Sequence, residues 1–263
     1  MDALGLPSVL AERERRVKAI ERVAYSVGGL LMLSGLVHLA ILLISGNSWE
    51  GPLSLRKPAT FGLSFGLTLI NVTLIASFIS LSDRTRTRLL GVFSAACVLE
   101  TVLVSMQAWR GVPSHFNVET SFDAAVAQAL AVGGLALVAV IVALTVSAFR
   151  DRARLPPGIR QAIRAGLLAL IGAQTAGAIM IGTGVRLIVR GHPDVAYATA
   201  GWLKPVHAVL MHGILVLPLL AWALSKTAWD EGTQARAVRT GIVVYVAVVG
   251  GVAAASVLAA ASR

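Results

Sequence analysis

Imidazole and carboxylate groups set inside apolar sequence are the side chains here with the most chemistry to offer. Lys204-Pro-Val-His207-Ala-Val-Leu-Met-His212-Gly213 opens an apolar run reaching about Ser225 and holds two of the five histidines. His38 lies in the apolar run 24–45, and Glu100 is the one acidic residue well inside such a run, 89–109. Ionisable groups within a lipid-embedded helix are costly and face the bundle interior, a cavity or one another. Nitrogen and oxygen donors of this kind suit a transition metal ion, and histidines on separate helices suit the axial positions of a b-type haem.

Depth supports treating them together. At ~1.5 Å per residue from the outer ends of their segments, His38, Glu100 and His212 lie about 10, 13 and 12 Å deep, and His207 about 5 Å. His207 and His212 are five apart, about 140° around a helix, so one ion does not take both without distortion. Three chemistries compete. The reading placed first is a metal or b-type haem site for redox chemistry, with His38, Glu100 and His212 as metal ligands. His207, Arg110, Lys204, His115 and Asn117 would then complete a cofactor site, and Glu100 would be the catalytic proton acceptor or ligand. The alternative is a proton-coupled transporter or a lipid- or anion-binding protein using the same cavity. The third is hydrogen bonding across helices with no further role.

A second cluster sits between apolar runs, in Gln107-Ala-Trp-Arg-Gly-Val-Pro-Ser-His-Phe-Asn-Val-Glu-Thr-Ser-Phe-Asp123. Gly111 and Pro113 fix a turn, and Ser121 with Asp123 suits the start of a helix. Arg110, Ser114, His115 and Asn117 are left without a structural role. Arg56, Lys57, Arg110, Arg186, Arg190 and Lys204 fall at helix ends on the same side. They suit an anionic small molecule, a lipid headgroup or a haem propionate, or simply snorkel to the interface.

These side chains must be positioned by membrane helices. The chain has 263 residues, is 56% hydrophobic and only 14% charged, where a soluble domain carries roughly 25% charged residues. Seven runs of about spanning length follow, near 24–45, 59–81, 89–109, 124–149, 165–188, 204–225 and 240–261. Sixteen of the 23 Lys and Arg fall on one side of these spans and seven on the other. The N-terminus is therefore expected inside and the C-terminus outside. The +10 net charge is then explained by cytoplasmic loops, with no nucleic-acid partner. The single Cys97 excludes an internal disulfide and a cysteine-cluster metal site.

Residues 1–23 read as a cytoplasmic basic amphipathic segment. Arg15-Arg16 invites a twin-arginine reading, but the following run is too long and lacks an A-x-A site, so an uncleaved first helix is expected. Gly62-Leu-Ser-Phe-Gly66 reads as a close-packing motif between helices. No internal repeat, nucleotide loop or Ser-His-Asp arrangement is visible.

Trp109-Arg-Gly-Val-Pro-Ser-His-Phe-Asn117, preceded by Glu100 and Gln107, resembles a signature of an uncharacterised family of bacterial polytopic membrane proteins. Val206-His-Ala-Val-Leu-Met-His-Gly-Ile-Leu-Val-Leu-Pro218, with its HxxxxH pattern, resembles that family's second signature. The resemblance implies about seven helices and two linked motifs; it implies no mechanism. The expectation is an all-α, seven-helix, multi-pass protein of the inner (plasma) membrane, with its functional end outside.

Overall fold

In a computed structural model, residues 18–46, 48–51, 53–151 and 155–262 are described. Most of the expected basic N-terminal segment, together with Arg152, Arg154 and Arg263, lies outside them. The described chain is all helical: α1 (Ala19–Ser45), α2 (Arg56–Ser77), α3 (Asp83–Trp109), α4 (Ser121–Arg150), α5 (Pro157–Val189), a short α6 (Pro193–Thr199), a 3-10 turn (Ala200–Leu203), α7 (Lys204–Leu224) and α8 (Glu231–Ala261). Seven helical segments are long and apolar enough to cross a bilayer, with α6 and α7 forming one of them.

Several helices begin a turn or more before the apolar runs do, because polar residues start them. Ser82 and Asp230 cap α3 and α8, accepting from the amides of Thr85 and Thr233. Thr120, not Ser121, caps α4, accepting from the Asp123 amide at 3.1 Å.

The tightest contact is between α1 and α2, and its cause is glycine. A Cβ on Gly35 would lie 2.5 Å from the Leu63 amide nitrogen, and one on Gly62 would lie 2.6 Å from the Gly35 nitrogen. Gly28 and Gly66 repeat the arrangement one step along. The two backbones therefore touch directly, as small residues permit where lipid gives no hydrophobic drive to association. α5 packs against α7 in a similar way, Gly166 lying against the Gly213 carbonyl.

The end expected to face inward is tied by arginine. Arg86 of α3 is buried; it pairs with Glu21 of α1 at 3.0 Å and donates to the carbonyls of Ala76 and Ile79 at the end of α2. Arg164 of α5 donates likewise to the carbonyls of Ala148 and Phe149 at the end of α4. Helix C-termini leave carbonyls without partners, and a neighbouring arginine supplies them. The run 83–88, part of the charge excess from which the orientation is expected, thus also contributes a buried structural residue.

Candidate functional site under the 110–120 loop

The 110–120 loop is fixed at both ends. Gly111 leaves α3 with φ 69°, a left-handed conformation natural to glycine. Asp123, 2% exposed, accepts from Gln107 Nε2 at 2.9 Å, Arg110 Nη1 at 2.6 Å and Thr120 Oγ1 at 2.6 Å. Arg110 also donates to Gln107 and lies over the Phe122 ring at 4.7 Å. In mid-loop, Phe116 has φ 63°, uncommon for a bulky residue. Its ring fills the space that a side chain at Gly184 of α5 would need. The loop is pinned by a half-buried aromatic and closed by an ion-pair network.

Within this frame, His115 meets Lys57 from the start of α2. Lys57 Nζ lies 3.2 Å from His115 Nδ1, and Ser114 Oγ lies 3.0 Å from the same nitrogen. Phe61 and Phe116 stand edge-on to the imidazole at 5.9 and 6.1 Å. Burial and the Lys57 charge hold the His115 pKa well below its ordinary value, so the ring is neutral at pH 7 and accepts from the ammonium. Asn117, fully buried, accepts from the Glu119 amide at 3.1 Å, while its Nδ2 has no partner.

Glu100 lies beneath, 4% exposed. Its Oε1 would be 2.8 Å from a Cβ on Gly133 of α4, so that glycine makes the slot for the carboxyl. Lys57 is the cation within electrostatic reach of Glu100, although the two are not among the direct ion pairs of the described residues. Lys57 is also within reach of Lys204, and Lys204 of Arg56 and Glu50. Lys57 is the second residue of α2 and Lys204 the first of α7. Cations at the positive ends of two helix dipoles are unfavourable alone and together favour an anion.

The residues singled out by depth have other partners. His38 donates from Nδ1 to the Ser34 carbonyl at 2.8 Å and accepts at Nε2 from the Trp109 indole N–H at 3.0 Å. An indole has only a donor to give, so both imidazole nitrogens are engaged. His207 Nδ1 reaches across to the Ala173 carbonyl of α5 at 2.7 Å. His212 bonds the Ala208 carbonyl of its own helix at 2.7 Å and sits on an exposed face. Among the described residues no three His, Cys, Asp or Glu side chains are grouped to hold a metal ion. The expected metal or b-type haem site on His38, Glu100 and His212 is therefore not supported, because His38 is consumed by Trp109 and His212 faces away. Arg110 likewise is neutralised by Asp123 and not held ready for an anion. Lys204, His115 and Asn117 stay at the end expected to face outward, together with Lys57 and Gly133.

Fold and site together define a polytopic helical bundle with a buried polar cluster under a pinned loop. Comparison with protein-family models, curated proteins and solved structures finds no significant match to this chain.

Proposed function

We propose that this protein binds an anionic group at the outer end of the bundle and links that binding to a proton on Glu100. The N-terminus is inside and the C-terminus outside, in the plasma (inner) membrane, on the strength of the arginine asymmetry. The supporting observation is that Lys57 lies within electrostatic reach of both Lys204 and Glu100. With Glu100 ionised, its carboxylate neutralises Lys57. With Glu100 protonated, the two lysines at helix N-termini are left uncompensated, and an anion restores neutrality. Proton and anion then enter the site as a neutral pair, the logic of a proton-coupled transporter or of a lipid-headgroup or anion receptor. The two motifs' resemblance to a bacterial polytopic family belongs to the same proposal.

The test is thermal stabilisation of the detergent-purified protein by phosphate, sulfate and citrate against chloride at constant ionic strength, at pH 5.5 and 8. A ligand at 100 times its Kd stabilises by about 2.7 kcal/mol. Wild type should gain more at pH 5.5, Glu100→Gln equally at both pH values, and Lys57→Met with Lys204→Met nothing. Equal gains in wild type and the double lysine variant would remove the basis of the proposal.

A further inference from the structure

The bundle wall is not closed between α1 and α3. A groove of about 380 Å³ opens there, lined by Val27, Leu30 and Ser34 on α1 and by Val98, Val102 and Ser105 on α3. Its apolar lips face outward: Leu30 is 66% exposed and Val102 55%. The lining spans eight residues on each helix, about 10 Å along the axis.

One polar atom in this lining is unaccounted for. Ser105 Oγ is buried and has no hydrogen-bond partner. Other buried hydroxyls in the bundle return to the carbonyl four residues back, as Thr101 of α3 does to Cys97 at 2.9 Å and Thr73 of α2 to Leu69 at 2.7 Å. Ser94 is also unpartnered but does not line the groove. Leaving a buried hydroxyl unsatisfied costs free energy that an acceptor oxygen would recover.

The depth of Ser105 indicates which acceptor. It lies one turn before Trp109, which is 60% exposed, and Arg110 follows directly. Exposed tryptophan and a charged neighbour mark the membrane interface on α3. Ser105 is then about 6 Å in from the helix end. The polar layer of a bilayer is roughly 5–7 Å thick on each side. That places the hydroxyl where headgroup gives way to hydrocarbon, the level of the ester carbonyls of a glycerophospholipid. The apolar groove runs inward from that level, as an acyl chain does.

We propose that the α1–α3 groove is a specific site for one outer-leaflet diacyl glycerophospholipid, its ester carbonyl accepting from Ser105 and its acyl chain filling the groove. Ser34 of the lining supplies the carbonyl that fixes His38, and His38 in turn bonds Trp109 between the same two helices. The site does not depend on the anion reading, because it lies on a different wall from Lys57 and Glu100.

The test uses delipidated protein and native mass spectrometry, titrating a diester phosphatidylglycerol against its diether analogue. The headgroups are identical and only the carbonyls differ. Wild type should bind the diester about fivefold more tightly, the worth of one hydrogen bond. Ser105→Ala should bind both equally, at the diether level. Val102→Trp and Leu30→Trp, filling the groove from either wall, should retain neither, with folding checked by protection of the buried Cys97 thiol. Equal binding of diester and diether by wild type would overturn the proposal. So would an ester preference that survives Ser105→Ala.

Discussion

Replacing Arg86 by methionine removes more than a charge. The guanidinium pairs with Glu21 at 3.0 Å and donates to Ala76 O at 2.6 Å and Ile79 O at 3.1 Å, and both charged side chains are under 10% exposed (6% and 8%). Arg86→Met leaves Glu21 buried without its counter-charge, frees the Ile79 carbonyl and leaves the Ala76 carbonyl with only backbone donors. Breaking a buried pair from one side costs about 3–5 kcal/mol. At about 2–4 °C per kcal/mol for a chain of this size, melting should fall by roughly 6–20 °C. Arg84 and Arg88, exposed on the same turn region, are the controls; their methionine variants should stay within about 0.5 kcal/mol of wild type. Glu21→Gln combined with Arg86→Met should cost clearly less than the sum of the singles, with a coupling of about 2 kcal/mol. The assay is already built in: Cys97, the only cysteine, is fully buried, so reaction with a thiol-specific fluorophore during heating reports unfolding. If Arg86→Met melts with Arg84→Met, the assignment of a structural ion pair is wrong.

Three further outcomes can be read with the same probe. Gly35→Ala should be strongly destabilising because its Cβ would meet the Leu63 backbone at 2.5 Å, whereas Gly29→Ala and Gly134→Ala, with nothing within 4 Å, should be neutral or stabilising by up to about 1 kcal/mol through helix propensity. Trp109→Phe breaks one hydrogen bond and should cost about 1 kcal/mol, while His38→Ala breaks that bond and the one to the Ser34 carbonyl and should cost about 1–2 kcal/mol, with the double variant no worse than His38→Ala alone; additive losses would mean the two rings are not partners. His115, held below its ordinary pKa by burial and Lys57, takes up its proton less readily folded than unfolded. Its contribution to stability is therefore full above the unfolded pKa of about 6.5 and is lost as pH falls towards the lower native value, by at most ~1.4 kcal/mol per pH unit. His115→Gln should flatten that acid limb, and an unchanged limb would show that the imidazole is not the group responsible.

The seven spans were legible because length and apolarity decide them, and Gly62-xxx-Gly66 was legible because a small-residue pair on a membrane helix has one common use. The polar pairings were not. His38 and Trp109 are 71 positions apart, and only the crossing of α1 and α3 brings them together. Depth put His38, Glu100 and His212 in one layer but said nothing of rotation, and His212 turns outward. Asp123 read as a helix-start acid, while its larger role is to neutralise Arg110 thirteen residues earlier. Lys57 looked like one rim charge among six, and its burial beside His115 depends on a loop conformation set by Phe116 and Gly184. A signal for the Glu100 slot did exist in Gly133-Gly134, but a glycine does not reveal which side chain it makes room for.

The two arginine ties at the inward end have a consequence for how the chain is made. On the expected orientation, Arg86 and Arg164 belong to the charge excess that sets which way the helices insert. In the folded protein the same guanidiniums cap the helix that precedes them in the chain, α2 by Arg86 and α4 by Arg164. During synthesis the last turn of α2 therefore lacks the Arg86 donors to Ala76 and Ile79 until α3 has begun to emerge, and α4 waits in the same way for Arg164 of α5. The chain should thus mature in hairpins, α2 with α3 and α4 with α5. A topology signal written for the insertion machinery becomes, a few residues later, the latch of each hairpin.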